Sequence, residues 1–361
     1  MDSIIFRLLY ASSFLSYTYF QAWKKGDYPG HLLYGFTHFE KFGIKRVSFE
    51  IPFNPYKNRL KLMCYNLISI LSMFNQFDAI YGATHRGLEL VIFLRALGLF
   101  SKPIVIWHHT AVTNSSNKIR NIISSFFYRG IDKLFFFSQP LLDASLRTGK
   151  IKRKDAVLTH WGPDLAFYDS LLKQRKSKDF FISTGRENRD LITLVKAFSE
   201  TKEMCEIYLG AKVGAVDYKS IFTMQLNDIL KSNVRIHFVD MEYKEIALIT
   251  NDAKAIVIST YDLPYTVGLT TLVEAMALGL PVITTDNMNY PIDVEVEKIG
   301  LKVPFGDINS WKKAIEYVAI HPKEAKTMGE AGRYLAERIY NLEHFSSEVA
   351  SCLLSVSDNS V

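Results

Sequence analysis

The stretch GLTTLVEAMALGLPVITTDN, residues 268–287, predicts a turn, an apolar helix and a strand in immediate succession. Gly279 stands where a helix is expected to end, and Pro281 follows just beyond it. The run AIVIS at 255–259 predicts another buried strand before the turn. In a parallel sheet, the helix would then begin at the carboxyl edge of the strands. Free amides and the helix dipole favour an anion there.

The first turn of this helix carries hydroxyls and a carboxylate, and the sequence allows two interpretations of them. Thr270 or Thr271 could cap the helix, and Glu274 could close a capping box with Thr271. Alternatively, Glu274 faces outward to a ligand. Sequence alone does not separate these two possibilities.

Strand-like runs alternate with helices of about ten residues along the whole chain. The predicted strands lie at 79–83, 103–109, 133–138, 179–184, 206–210, 234–240, 255–259 and 281–285. This alternation predicts an α/β fold with two Rossmann-like, doubly wound parallel-sheet domains. Residues 1–20 are predicted to begin with a buried strand, because Asp2 and Arg7 interrupt the order of a signal peptide. A segment resting against a membrane is the alternative.

The boundary between the two domains is predicted near HWGPDLAFYD, where a Gly-Pro turn precedes a charged stretch. We expect an N-terminal acceptor-side domain over 1–165 and a linker over 166–178. A nucleotide-sugar-binding domain would follow over 179–340. Residues 341–361 would form a helix and a tail, and this helix could pack back on the N-terminal domain.

Composition sets limits on the class of protein. The chain has 361 residues, of which 48% are hydrophobic and 22% charged, a globular composition. Three widely spaced cysteines without a CxxC motif argue against a disulfide framework and a zinc site, and favour a reducing compartment. No uninterrupted apolar stretch has the length of a membrane span.

The positive charge is concentrated in one part of the chain. Residues 101–154 contain ten lysines and arginines but only two acids. The stretch is either a solvated helix face beside a buried strand, or a surface for anionic headgroups or a phosphorylated acceptor. Nucleic acid is the weaker third choice, because no nucleic-acid-binding motif accompanies the charge.

Three further motifs supply candidate site residues. Arg186 and Arg189 follow a predicted strand end at Gly185, where paired guanidiniums could hold phosphate oxygens. The alternative is that both arginines are surface residues and that Asp190 caps the next helix. His108 and His109 end the run IVIWHH, and one of them should face the ligand edge. A Pro-Gly turn before His31 could touch an acceptor, or simply start a helix.

Several common motifs are missing. There is no GxGxxG, no GxxxxGK[ST], no HExxH, no GxSxG and no D-x-D pair. A nucleotide-sugar site that uses a metal normally has neighbouring carboxylates to hold the cation. Any diphosphate bound here would therefore be neutralised by arginines and a helix N-terminus.

Together, GRENRDLITLVKAF and LTTLVEAMALGLPVITTDN resemble the C-terminal half of the GT-B glycosyltransferases of group 1, the retaining enzymes of family 4 and their relatives. THWGPDLAFYD resembles the hinge of that family, and GFTHFEKFGIKRVSF its first helix and second strand. The resemblance spans most of the chain and is more specific in the second half. It implies two Rossmann-like domains facing a central cleft.

The resemblance also implies roles for individual residues. Glu274 matches the glutamate that binds the donor ribose. Arg186 matches the phosphate-binding arginine, and Arg189 stands in for a lysine of the family. The remaining matches are His109 or His108 near the transferred sugar, with Thr270 and Thr271 at the diphosphate, Gly185 and Gly268 at the flanking turns, and Asp240 and Met241 beside the base. Gly30, His31 and His108 are candidates for the acceptor side.

The sequence departs from the family in four ways: it has no EGFG segment, the Gly268–Glu274 spacing is one residue longer than the commonest form, and two positions differ. Thr266 occupies the place of the family's first glutamate, and Pro29-Gly30-His31 replaces its Gly-Gly acceptor loop. The resemblance nevertheless implies a metal-independent transfer, without a cofactor, from a nucleoside-diphosphate sugar to a glycan or lipid-phosphate-linked acceptor. Such a protein would be cytoplasmic, at the inner face of the plasma membrane if the basic stretch 118–154 contacts lipid. A nucleotide-sugar epimerase and a non-catalytic scaffold of a glycan-assembly complex are the alternatives.

Overall fold

The computed structural model describes residues 6–11, 16–185, 188–210, 212–213, 216–226 and 229–358. The chain divides into two compact units. The first runs to Trp161 and resumes at Leu342, and the second is the continuous segment Gly162–Asn341. The residues predicted as a linker include most of a helix, Leu165–Leu172, whose Phe167, Tyr168 and Leu171 are buried. The linker prediction is wrong there, because the lysines and arginines that suggested it follow this helix.

Helices and strands alternate in both units. The strands are β1 (Phe6–Ala11), β2 (Ile44–Val47), β3 (Ala79–Gly82), β4 (Ile104–Trp107), β5 (Lys133–Phe136), β6 (Ala156–Leu158), β7 (Phe181–Gly185), β8 (Cys205–Leu209), β9 (Lys212–Val213), β10 (Val216–Asp217), β11 (Val234–Phe238), β12 (Ala255–Ile258), β13 (Val282–Thr285) and β14 (Gly300–Val303). Each strand predicted with bounds is confirmed, with ends shifted by at most two residues, and the predicted N-terminal strand is also confirmed.

The α-helices connect these strands and cover the sheets. They are α1 (Ser16–Lys24), α2 (Arg59–Ser72), α3 (Glu89–Ala96), α4 (Lys118–Tyr128), α5 (Gln139–Leu146), α6 (Leu165–Leu172), α7 (Leu191–Ser199), α8 (Tyr218–Leu226), α9 (Tyr243–Asp252), α10 (Leu269–Leu278), α11 (Ile308–Ile320), α12 (Pro322–Arg338) and α13 (Leu342–Asp358). No helix within the described ranges is both long and apolar enough to cross a membrane.

The first unit contains a parallel sheet in the order β2-β1-β3-β4-β5-β6. Every residue of β3 and β4 is buried, as expected for strands covered on both faces. Helix α13 completes this unit, with the Phe345 ring 5.5 Å from the Trp107 ring and Glu343 bonded to Lys41 at 2.7 Å.

The second unit contains a parallel sheet in the order β11-β8-β7-β12-β13-β14. From β7 the chain moves outward through β8 to β11, and then returns to β12 and moves outward the other way. Neighbours β7 and β12 therefore flank the topological switch point of the sheet. Ligands of doubly wound folds bind at this point, outside the carboxyl ends of the strands. The β7–α7 turn and the β12–α10 loop are both located there.

Candidate functional site

Helix α10 begins at Gly268, which occupies the N-cap position with φ 90° and has no side chain to cap it. The predicted threonine cap and the capping box of Thr271 with Glu274 are both wrong. A Cβ on Gly268 would lie 2.6 Å from the Tyr290 hydroxyl, which donates to the Val267 carbonyl at 2.6 Å. The chain turns so tightly into α10 that only glycine fits, and Thr270 and Thr271 lie inside the first helical turn. The predicted end at Gly279 is confirmed.

Arg189 lies beneath this helix rather than on the surface. Its side chain is 7% exposed, its Nε donates to the Thr184 carbonyl at 3.2 Å, and its Nη2 donates to the Thr271 hydroxyl at 3.3 Å. Buried arginine holds its charge, so Arg189 places a fixed cation beside the start of α10. Arg189 therefore connects β7 to α10 through these two hydrogen bonds. The alternative in which Arg189 was a surface residue is wrong.

Gly185 allows this arrangement. A Cβ there would lie 2.6 Å from the guanidinium of Arg189, so a larger residue would displace the arginine. Asp190 caps α7 through its carboxylate, which accepts from the Thr193 amide at 3.1 Å, as predicted. Arg186, the other predicted phosphate ligand, lies outside the described residues.

Glu274 lies one helical turn beyond Thr271 and is half-buried. Its carboxylate accepts a hydrogen bond from the Tyr243 hydroxyl, and that hydroxyl lies 3.4 Å from the hydroxyl of Tyr168. Burial raises the pKa of Glu274 to about 7, although the bond from Tyr243 and the charge of Arg189 each act to lower it. A carboxylate close to its midpoint at neutral pH is a common feature of ligand sites.

The loop between β11 and α9 brings Tyr243 to this place. Asp240 is exposed and Met241 half-buried in the loop, and neither has a described contact with Glu274. Glu242 begins α9 with a capping box to Glu245, which fixes the position of the next residue, Tyr243. The residue of this segment that contacts Glu274 is therefore Tyr243, and not the predicted Asp240 or Met241.

Residues 168–334, within this second unit, match the family model described as glycosyl transferases group 1. This match assigns residues 168–334 to the group 1 glycosyltransferase family. No curated protein matches the chain.

The fold of the whole chain has counterparts among solved structures. Sucrose-phosphate synthase from Thermosynechococcus elongatus is 16% identical with TM-score 0.73, over 98% of this chain and 99% of that one. Anabaena HepE in complex with UDP and glucose is 15% identical with TM-score 0.70, over 97% and 100%. WaaG, a glycosyltransferase involved in lipopolysaccharide biosynthesis, is 11% identical with TM-score 0.62, over 96% and 99%. At these identities the likeness shows the fold, which is the predicted GT-B type with two Rossmann-like units.

In the first unit, the two predicted histidines follow the end of β4 and take different directions. His108 is buried, and its Nε2 lies 2.9 Å from the Tyr128 hydroxyl. His109 is half-buried; its Nε2 lies 2.8 Å from the Ala83 carbonyl and its ring contacts Tyr34 edge-on at 5.5 Å. Burial lowers the pKa of both rings, that of His108 to about 4, so both are neutral near pH 7.

His31 joins the same aromatic group as His109. Tyr34 stacks on Trp161 at 6.3 Å, and Trp161 lies 5.2 Å from the His31 ring and donates to the His31 carbonyl at 3.1 Å. His31 is fully buried, and burial lowers its pKa to about 3. Gly30 is buried beside it. The sequence had suggested that His31 could face an acceptor. In the structure, its ring instead packs in the interior.

Sequence reasoning missed the tyrosines of the second unit. Tyr243 contacts Glu274, Tyr265 accepts from the Asn188 side chain at 2.6 Å, and Tyr290 closes the turn before α10. Each lies on a different loop, and none stands in a motif of recognisable spacing. Asn188, the partner of Tyr265, has a positive φ of 58°. Asparagine tolerates that conformation, so this residue is the sequence signal that accompanies the missed tyrosines.

Proposed function

We propose that the protein transfers a sugar, with retention and without a metal, from a nucleoside-diphosphate sugar to a glycan or lipid-linked acceptor. The observation that supports this best is the convergence of Arg189, Thr271 and Glu274 at the switch point of the second sheet. The HepE complexes with UDP and with UDP-glucose favour a UDP-sugar as the donor.

Each group has a part in this proposal that follows from its chemistry. The first amides of α10 have no intrahelical acceptors and bind the diphosphate, with the buried charge of Arg189 behind them. Stabilising the departing diphosphate in this way is the main catalytic contribution. The Glu274 carboxylate accepts from the ribose hydroxyls. Arg186 supplies a second cation to the phosphates, and His109 lies on the acceptor side.

The donor-site proposal is tested by calorimetric titration of UDP into the wild type and Glu274→Gln. The amide keeps the size of the side chain but accepts ribose hydrogen bonds more weakly. We expect UDP to bind at least tenfold more weakly to the variant. Glu316→Gln, on the exposed side of α11, should bind UDP like the wild type. Equal affinity in all three proteins would contradict the role of Glu274, and no binding of any nucleotide would contradict the donor site.

Product analysis then separates the reaction classes. With UDP-sugar alone, a transferase gives at most slow hydrolysis, whereas an epimerase converts the sugar without an acceptor. The anomeric configuration of the product, read by NMR, tests retention. Turnover that persists in excess chelator would agree with a metal-independent reaction, and its complete loss would contradict that part.

We further propose that helix α4 holds the acceptor side at an anionic membrane. Ile119, Ile122 and Ile123 are 67%, 69% and 50% exposed, and they form an apolar stripe at helical spacing that faces solvent. Lys118 and Arg120 flank the stripe, and Lys150 reaches Asn121 of the same helix at 3.0 Å. An apolar stripe bordered by cations is typical of a helix that lies in the interface plane.

Vesicle co-sedimentation tests this surface. Ile119→Ser with Ile122→Ser should weaken binding to vesicles with anionic lipid by at least tenfold, because each buried isoleucine contributes about 1.5–3 kcal/mol when fully removed from water. Ile320→Ser with Met288→Ser removes two equally exposed apolar side chains from the second unit and is the matched control. Equal binding of both double variants, or no binding of the wild type, would refute the proposal.

A further inference from the structure

Two histidines and a glutamate from distant parts of the sequence meet in the first unit. His160 follows strand β6, and His344 and Glu348 lie in the first two turns of α13. One nitrogen from each histidine and one carboxylate oxygen lie within 4.8 Å of one another. The donor site in the second unit uses none of these side chains.

Helix α13 supplies two of the three residues of the cluster. Residues four apart on an α-helix project from the same face, so His344 and Glu348 are neighbours, with His344 Nε2 3.4 Å from Glu348 Oε1. His160 approaches the same oxygen, with its Nδ1 at 2.7 Å. Oε1 of Glu348 thus has an imidazole nitrogen from each histidine as a neighbour.

The other oxygen of Glu348 is held in place. Glu348 Oε2 accepts from the His160 backbone amide at 2.8 Å, which fixes the carboxylate plane relative to the His160 ring. Support of this kind orients metal ligands in known sites. The ligand atom Oε1 remains directed at the two imidazoles.

The distances fit a small transition ion after a modest adjustment. Zinc bonds imidazole nitrogen and carboxylate oxygen at about 2.0–2.2 Å. Tetrahedral ligands around such an ion are therefore about 3.4 Å apart. The pair His344–Glu348 already has this separation, and His160 Nδ1 must move away from Glu348 Oε1 by about 0.7 Å, a small change in side-chain torsions.

The cluster is also accessible. The side chains of His160, His344 and Glu348 are 39%, 46% and 26% exposed, so an ion can enter from solvent and keep water as its fourth ligand. Two imidazoles and one carboxylate form a ligand set that suits zinc, cobalt or nickel better than magnesium or calcium, which prefer oxygen.

We propose that His160, His344 and Glu348 bind one divalent transition-metal ion of the zinc type. The ion ties the start of α13 to the segment after β6, immediately before the chain enters the second unit and immediately after it returns. Its role is structural, and it is separate from the metal-independent transfer proposed above.

The test uses the full-length chain, stripped of metal by chelation, with zinc titrated by calorimetry and cobalt followed by its visible absorption. We expect one ion per chain, a cobalt spectrum of low symmetry, and a higher Tm with zinc. His344→Ala removes a ligand and should lower zinc affinity by at least about 10–100-fold, the loss that removal of an outer-shell partner already causes, while leaving the His160–Glu348 contact in place. Glu348→Gln should have a similar effect.

His321→Ala is the matched control, since His321 is a partly exposed helix-end histidine of the second unit that stacks on Tyr317. It should bind zinc like the wild type. The proposal is overturned if the wild type takes up no stoichiometric zinc at micromolar concentration, or if His344→Ala and His321→Ala bind equally. UDP affinity, measured in parallel, should be the same with and without zinc. The test of the zinc site is therefore independent of the test of the donor site.

Discussion

The hydroxyl of Tyr243 should control the charge of Glu274, and Tyr243→Phe removes that hydroxyl alone. The pKa of Glu274 is about 7 in the wild type, so about half of the molecules carry the carboxylate at pH 7. Tyr243 donates to this group, and its bond acts against the raising effect of burial. Losing a hydrogen bond to a charged group costs about 1.5–3 kcal/mol.

That loss corresponds to a further rise of about one to two units in the pKa of Glu274, at 1.36 kcal/mol per unit. At pH 7 the ionised fraction would fall from about half to between one tenth and one hundredth. If the ribose binds to the carboxylate, UDP affinity at pH 7 should fall by about 5–50-fold. The affinity should recover at pH 9, where the carboxylate forms again.

The assay is UDP titration by calorimetry from pH 6 to pH 9. Wild-type affinity should rise as the pH passes through about 7, and the rise should move to higher pH in Tyr243→Phe. Glu274→Gln gives the pH profile of UDP itself, whose terminal phosphate also titrates in this range. Tyr317→Phe, a half-exposed tyrosine of α11, controls for the substitution. An equal loss of affinity at every pH would refute the reasoning, as would an unchanged profile.

Two other predictions concern stability. Gly185→Ala should lower the Tm, because the new methyl group would lie 2.6 Å from the guanidinium of Arg189. Overpacking of this kind costs about 1–3 kcal/mol. Gly332→Ala in α12 is the control, since its methyl group would have ordinary contacts at 3.5 Å, and its Tm should equal or exceed that of the wild type. The pKa of His108 is lowered to about 4, so its neutral form favours the folded state above pH 6.5 and this stability is lost as the pH falls towards 4. Between pH 7 and pH 5 the free energy of unfolding, from urea titration followed by tryptophan fluorescence, should therefore fall by about 2 kcal/mol from this residue and by less in His108→Gln. An identical fall in both proteins would contradict this assignment.

The fold could be predicted because it depends on repeated local patterns. Apolar runs such as AIVIS and IVIW report buried parallel strands directly, and Gly279 with Pro281 marks the end of α10. The linker could not be placed, because a charged segment after a helix looks the same as one between domains. The basic stretch could be counted, but only coordinates show that Ile119 and Ile122 face solvent.

The candidate site was predictable where chemistry and spacing coincide, and not elsewhere. Glu274 and Arg189 were found from their positions at a helix start and a strand end. The partner of Glu274 was not, because Tyr243 is 31 residues away and its contact depends on how α9 is oriented. The same holds for His160 and Glu348, which are 188 residues apart. Contacts between distant segments depend on sheet order, which local patterns do not encode.

The division of the chain also determines the order in which the two units can be completed during translation. The second unit is inserted within the first, and its ends lie close together, since a Cβ on Gly162 would be 2.1 Å from the Tyr340 backbone. On the ribosome, the second unit can therefore fold as a closed segment before α13 has emerged. Until then the first sheet lacks the helix that covers Trp107. Helix α13 completes the unit that was started first, so deletion of α13 should damage the N-terminal sheet before it affects the second unit.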